Sequence, residues 1–166
     1  MSYPSDPAGV KGTKGAATTA RFRLAADVEQ IDFWSGSSTR FVAPGVVTDR
    51  EFGLFEWNLP PSGGGADPHS HKTFSESFYV LSGTIGLYDG DRWISARPGD
   101  FLYVPRTGVH AFRNDADEPA SMLILFAPAP PREKYFRELA EVAESGRTLS
   151  YDEWTELFAH HDQYRA

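Results

Sequence analysis

Between residues 22 and 127 the chain breaks into short β-prone runs, at 30–34, 40–42, 52–59, 76–81, 84–88, 93–96, 101–104, 109–113 and 121–126. Turn residues separate them. Asp89-Gly90 is a clear hairpin signal, because both residues tolerate positive φ in a tight turn. Short strands at this spacing predict an antiparallel sandwich or barrel, and that expectation bounds everything else.

The flanks differ. Residues 1–20 are rich in Gly, Ala, Thr, Ser and Pro without apolar periodicity, and are expected to form a loose arm. Past the β region, Tyr135, Phe136, Leu139, Val142 and Ala143 recur at helical spacing over 132–145, with Gly146 as a stop signal. Ser150 and Glu153 make a capping box for a second helix with Trp154, Leu157 and Phe158 on one face. The expected organisation is an arm at 1–20, a barrel at 21–128 and a helical extension at 129–166 that covers it.

At 166 residues, with 40% hydrophobic and 14% aromatic content, the chain suits one folded domain and not disorder. The formal net charge of −7 argues against a nucleic-acid partner. No apolar run approaches the roughly 20 residues needed to span a bilayer. The first residues lack the basic-then-apolar layout of a signal peptide. A soluble, cytoplasmic protein with no membrane partner is expected.

There is no cysteine. Disulfides, thiolate zinc sites, Fe–S clusters and thiol nucleophiles are therefore excluded, and any metal must be held by imidazole and carboxylate. Three of the five histidines stand near one glutamate in an ordered pattern. His69 and His71 are two apart, so on a strand they share a face. Glu76 follows, and His110 lies in a later run that an antiparallel pairing could bring opposite. Three imidazoles and one carboxylate suit a divalent first-row metal, one of Fe, Mn, Ni, Co, Cu or Zn, with coordination positions left over. His160 and His161 are adjacent, so in a helix they diverge by about 100° and are expected to be a solvated helix end.

Gly63, His69, His71, Glu76 and Gly83 reproduce the spacing Gly-x5-His-x-His-x4-Glu-x6-Gly, the first motif of the cupin superfamily. Gly99, Pro105, His110 and Asn114 fit the second, with Thr107 where that motif has glycine. The chain thus resembles a single-domain cupin. The resemblance implies an all-β, double-stranded β-helix (jelly-roll) barrel, commonly a homodimer, with the metal on His69, His71, Glu76 and His110. The run Phe-Tyr-Val-Leu-Ser-Gly after Glu76, and Pro-Arg-Glu-Lys-Tyr-Phe after the barrel, are similar to the bacterial quercetin dioxygenase-like group. That likeness implies that Glu76 is both ligand and proton acceptor.

If the ligands face inward, strand parity places Phe78 and Phe112 on the wall of a substrate pocket, with Val80 and Asn114 further along. Phe74, Tyr103 and Phe101 are weaker candidates. Glu56 would be a base only if its face, and not that of Phe55 and Trp57, turned inward; burial of the aromatic pair is expected. Three functions remain open. One is a metal-dependent oxygenase using O2 on a planar, flavonol-like or other enolisable or phenolic molecule. The others are a non-redox isomerase, lyase or cyclase, and a non-catalytic small-molecule binder.

Overall fold

A computed structural model describes residues 19–33 and 35–166; most of the expected N-terminal arm lies outside that range. After a 3₁₀ turn at Ala25–Asp27 come β1 (Gln30–Asp32), β2 (Ser38–Ala43), β3 (Gly53–Leu59), β4 (Gly65–Ser70), β5 (Ser75–Ser82) and β6 (Ile85–Tyr88). Then follow β7 (Trp93–Ala96), β8 (Phe101–Val104), β9 (His110–Arg113) and β10 (Ala120–Ala127). Helices α1 (Arg132–Glu144) and α2 (Tyr151–His160) precede the short β11 (Tyr164–Arg165). All strand pairings are antiparallel and form two sheets, in the orders β1-β2-β3-β10-β5-β8 and β11-β4-β9-β6-β7. The fold is a jelly-roll barrel with two C-terminal helices. No helix among the described residues is long and apolar enough to cross a membrane.

Alternation decides which face is inside. On β3 the buried set is Gly53, Phe55, Trp57 and Leu59; on β10 it is Ala120, Met122, Ile124 and Phe126. Register stacks them in layers: Met122 lies between Trp57 and Val80, and Ile124 between Phe55 and Phe78. Fully burying each large side chain contributes about 1.5–3 kcal/mol. Phe55 meets Phe41, Phe126 and Phe136 edge-on at 5.4–5.6 Å, the geometry aromatic quadrupoles prefer. The opposite face of β3 carries Glu56, paired with Arg40 at 2.9 Å, so the base role considered for Glu56 is excluded.

Two strands depart from the expectation. β4 contains Gly65, Asp67 and Pro68, which weaken its strand signal, and its pairing with β9 is irregular between Ala66 and His69. β11 has only two residues and exists because β4 offers an edge: Tyr164 pairs with Ser70 and Arg165 with His69. The capping box on α2 is present, with Ser150 Oγ accepting from Glu153 N–H and Glu153 accepting from Ser150 N–H. His161 is not a solvated helix end. It is buried against Tyr135 at 5.0 Å between rings, with Nε2 2.6 Å from Glu138, because the chain turns back there towards β11. His160 is exposed, as expected.

Thr107 adopts φ +67, which explains why glycine is usual at that position of the motif. Its N–H donates to the His71 carbonyl at 2.6 Å, so the turn ties the two histidine-bearing segments together. Thr107→Gly is expected to stabilise the fold by about 0.5–1 kcal/mol. Relief of about 1–2 kcal/mol for a side chain in the left-handed region outweighs the added freedom of the unfolded chain. Denaturant unfolding measures it; a lowered midpoint would mean that the threonine side chain makes compensating contacts.

Candidate metal centre

Both sheets contribute. His69 on β4 pairs directly with His110 on β9, and His71 stands just beyond the end of β4. Glu76 comes from β5 in the other sheet, between Phe126 and Val104. All four side chains are buried, and one ligand atom from each lies within 4.8 Å of all the others. The sequence pattern and the fold agree on this set.

Each imidazole is held from behind. His69 Nδ1–H donates to the Asp67 carbonyl at 2.7 Å, His71 Nδ1–H to the Asp162 carbonyl at 2.6 Å, and His110 Nδ1–H to the Gly108 carbonyl at 3.1 Å. These carbonyls set the tautomer, so in the neutral ring every Nε2 lone pair is free. His71 and His110 aim Nε2 at the same Glu76 oxygen, at 3.0 and 2.9 Å. Lone pairs facing a carboxylate repel unless a cation sits among them. Ligand atoms about 2.1 Å from a common ion and about 90° apart would be about 3.0 Å from each other, so this donor set fits a divalent metal.

The electrostatics agree. Burial and the neighbouring His110 hold His69 down at about 3, so it is a neutral ligand at ordinary pH. Burial alone would raise Glu76, but His110 and His71 hold it well below the usual carboxylate range. Burial opposes charge on His110, yet Glu76 beside it pulls its pKa up. An anionic carboxylate among imidazoles is what a metal ion needs.

A cavity of about 530 Å³ runs from His69 and Glu76 to the helices. Trp57, Phe112 and Phe126 wall it on the barrel side, and Tyr135, Phe136 and Phe158 on the helical side. The helices are therefore more than a cover: they close the site. Burial pushes the Tyr135 phenol up to about 12, so it stays protonated. Burial lowers Arg132 from the ordinary arginine range, yet a guanidinium this basic keeps its charge.

Of the aromatic residues expected on the pocket wall, Phe112 is there. Phe78 is instead core behind it, packed against His110 at 5.7 Å and Phe112 at 5.8 Å. Phe74 supports a ligand from outside the cavity, stacking on the His71 ring at 4.3 Å. Tyr103 is corrected: it is 57% exposed, on the outer face of β8 with Phe101, because the alternate residue Val104 pairs with Glu76 and turns in. Asn114 is structural, donating from Nδ2 to the Pro60 and Glu118 carbonyls. Sequence reasoning missed Arg132, Ser37 and Asp162. The first lay in the segment similar to quercetin dioxygenase-like proteins, but nothing local marks a guanidinium as inward-facing.

Asp162 couples the C-terminal segment to the ligands. Its backbone carbonyl orients His71, and its carboxylate accepts from Lys72 N–H, Thr73 N–H and Thr73 Oγ1. Burial raises the Asp162 pKa, but those bonds outweigh it and leave the group below its ordinary value. A depressed carboxylate stabilises above its unfolded pKa and loses that contribution as pH falls through the folded one. Asp162→Asn is thus expected to cost about 1 kcal/mol at pH 7, discounted for solvent, with the two proteins converging under acid. Urea melts across pH check this; a gap independent of pH would contradict it.

Residues 55–126 match the family model described as "Cupin domain". The quercetin 2,3-dioxygenase of Bacillus subtilis (strain 168) is 35% identical over 77 residues, which are 46% of this chain and 23% of that one. The chain thus matches about a quarter of that relative's length. Among solved structures, KdgF from Halomonas sp. aligns with TM-score 0.60 and 17% identity over 69% of this chain and 99% of that one. The polyketide cyclase RemF from Streptomyces resistomycificus aligns with TM-score 0.56 and 23% identity over 68% and 83%.

Proposed function

Because residues 55–126 of this chain are a cupin domain that contains all four candidate ligands, we propose that the protein is a metal-dependent dioxygenase of a planar, enolisable or phenolic small molecule. One observation carries the reading. The ionised Glu76 forms part of an aromatic-walled cavity while sharing an oxygen with two imidazoles, so one carboxylate faces both the metal position and the substrate space. The 35% identity with a quercetin 2,3-dioxygenase supports a flavonol-like substrate.

When bound, a divalent metal would supply Lewis acidity towards a substrate oxygen and the electron-transfer capacity that O2 chemistry requires. The chain's own residues do the rest. Trp57 and Phe112 hold a planar ring against the barrel wall, and Phe136 and Phe158 close over it, excluding water. A substrate hydroxyl directed at Glu76 loses its proton to the carboxylate oxygen. His69, His71 and His110, fixed by their carbonyl partners, hold the site rigid while that proton moves.

The test has two stages. Metal analysis after reconstitution should give one divalent ion per chain; no stoichiometric binding of Fe, Mn, Ni, Co, Cu or Zn would sink the proposal. Oxygen-electrode traces with a flavonol panel should then show O2 uptake matching substrate loss in at least one metal form. Anaerobic conversion without O2 uptake would instead assign a non-redox lyase or cyclase.

A further inference from the structure

We propose that the ligand of this cavity is a planar aromatic acid whose anionic oxygen pairs with Arg132, while further ligand oxygens accept hydrogen bonds from Trp57 and Ser37. This names the substrate class for the function above, and rests on it only in taking this cavity as the substrate site.

Arg132 opens α1 and is 4% exposed, yet none of the ion pairs among the described residues includes it. Its Nη1 donates to the His161 carbonyl at 3.3 Å and its Nη2 to Gln163 Oε1 at 3.2 Å, both neutral and both long. Its Nε is buried without a partner among the described residues. Rings surround the guanidinium, with Tyr135 at 4.2 Å, Phe126 at 5.0 Å and Phe136 at 5.3 Å. They offset part of its desolvation but satisfy no N–H. A buried cation is costly unless paired. Glu76, the buried carboxylate of the same cavity, is engaged by His71 and His110.

Two more residues that line the cavity carry a buried group without a partner among the described residues, Trp57 Nε1 and Ser37 Oγ. Indole N–H can only donate, and so can every guanidinium nitrogen. An unmet buried donor is costly, so three around one cavity are unlike ordinary core. They come from separate places: the residue before β2, the middle of β3 and the start of α1. Gly64 leaves room for the Ser37 hydroxyl, since a Cβ there would lie 2.2 Å from Ser37 Oγ. The complement of this wall is a flat molecule bearing a carboxylate or ionised phenol and further acceptor oxygens.

Calorimetry of the full chain loaded with Zn, which is redox-inert, compares 2-naphthoate with 2-naphthamide, similar in shape but uncharged. Naphthoate should bind about tenfold more tightly or better. Arg132→Met should reduce that preference about tenfold while amide affinity changes little; a merely structural arginine would weaken both probes alike. Trp57→Phe should weaken both similarly. Equal affinities in the unsubstituted protein, or an undiminished preference in Arg132→Met, would overturn the proposal. Should Arg132→Met not fold, the Arg132 Nε–H resonance of the unsubstituted chain should shift with naphthoate and not with naphthamide; absence of that shift also overturns it. Neither measurement needs turnover. A chain that binds naphthoate through Arg132 but consumes no O2 loses the dioxygenase reading and keeps the anion site, and the reverse outcome does the opposite.

Discussion

His110→Ala is expected to lower metal affinity by about a thousandfold or more, beyond the 10–100-fold usual when only an outer-shell partner is lost. His110 is fully buried, donates from Nδ1 to Gly108 and brings Nε2 to 2.9 Å from Glu76. Alanine removes one of four donors, and no other histidine can replace it. His160 ends α2 and His161 follows it, and His161 is engaged by Glu138. The metal-free variant should also lose about 2–4 kcal/mol, because Glu76 keeps its charge in a cavity with one imidazole fewer. Competition titration with a chelating dye reads the first effect and urea unfolding the second. His160→Ala serves as control and should match the unsubstituted protein; equal losses in the two variants would remove His110 from the ligand set.

Phe136→Ala is expected to cost about 3–5 kcal/mol, the range for deleting a buried phenylalanine. This ring joins α1 to the barrel: its centroid lies 5.1 Å from that of Trp57, 5.4 Å from Phe55 and 6.2 Å from Phe41. Removing it breaks the seam between helix and sheet and widens the cavity, whose wall it shares. Metal affinity of the folded variant should change little, because all four ligands come from the barrel and the loop after β4. Phe136→Leu should recover most of the stability. A loss below about 1 kcal/mol for the alanine variant would show that the helix is not held through this ring.

The strands other than β4 and β11, and the two helices, were legible because their signals are local. Period-two alternation at 52–59 and 121–126, the Asp89-Gly90 turn and the Ser150–Glu153 capping box each act within a few residues. The ligand set was legible because His69, His71 and Glu76 fall within eight residues of chain and the second motif places His110. Parity was less informative. Alternation says that Tyr103 and Val104 face opposite ways, but only the pairing of Val104 with Glu76 settles which turns inward. The aromatic Tyr103 was the wrong choice. Phe78 and Phe112 share the ligands' parity, yet one is core and the other cavity wall, a difference of depth that sequence spacing does not encode.

By itself, the sequence determined an antiparallel sandwich or barrel with two trailing helices, restricted any metal chemistry to imidazole and carboxylate, and marked the four residues that could supply it. These depend on composition and short-range spacing. The tertiary structure alone decided that the helices complete the site, that Asp162 orients His71 from 91 residues away, and that Arg132 is buried without a carboxylate partner among the described residues. Such contacts arise when separately formed elements pack. Their energies depend on which faces meet and what charge is left uncovered, and no local pattern in the chain records that outcome.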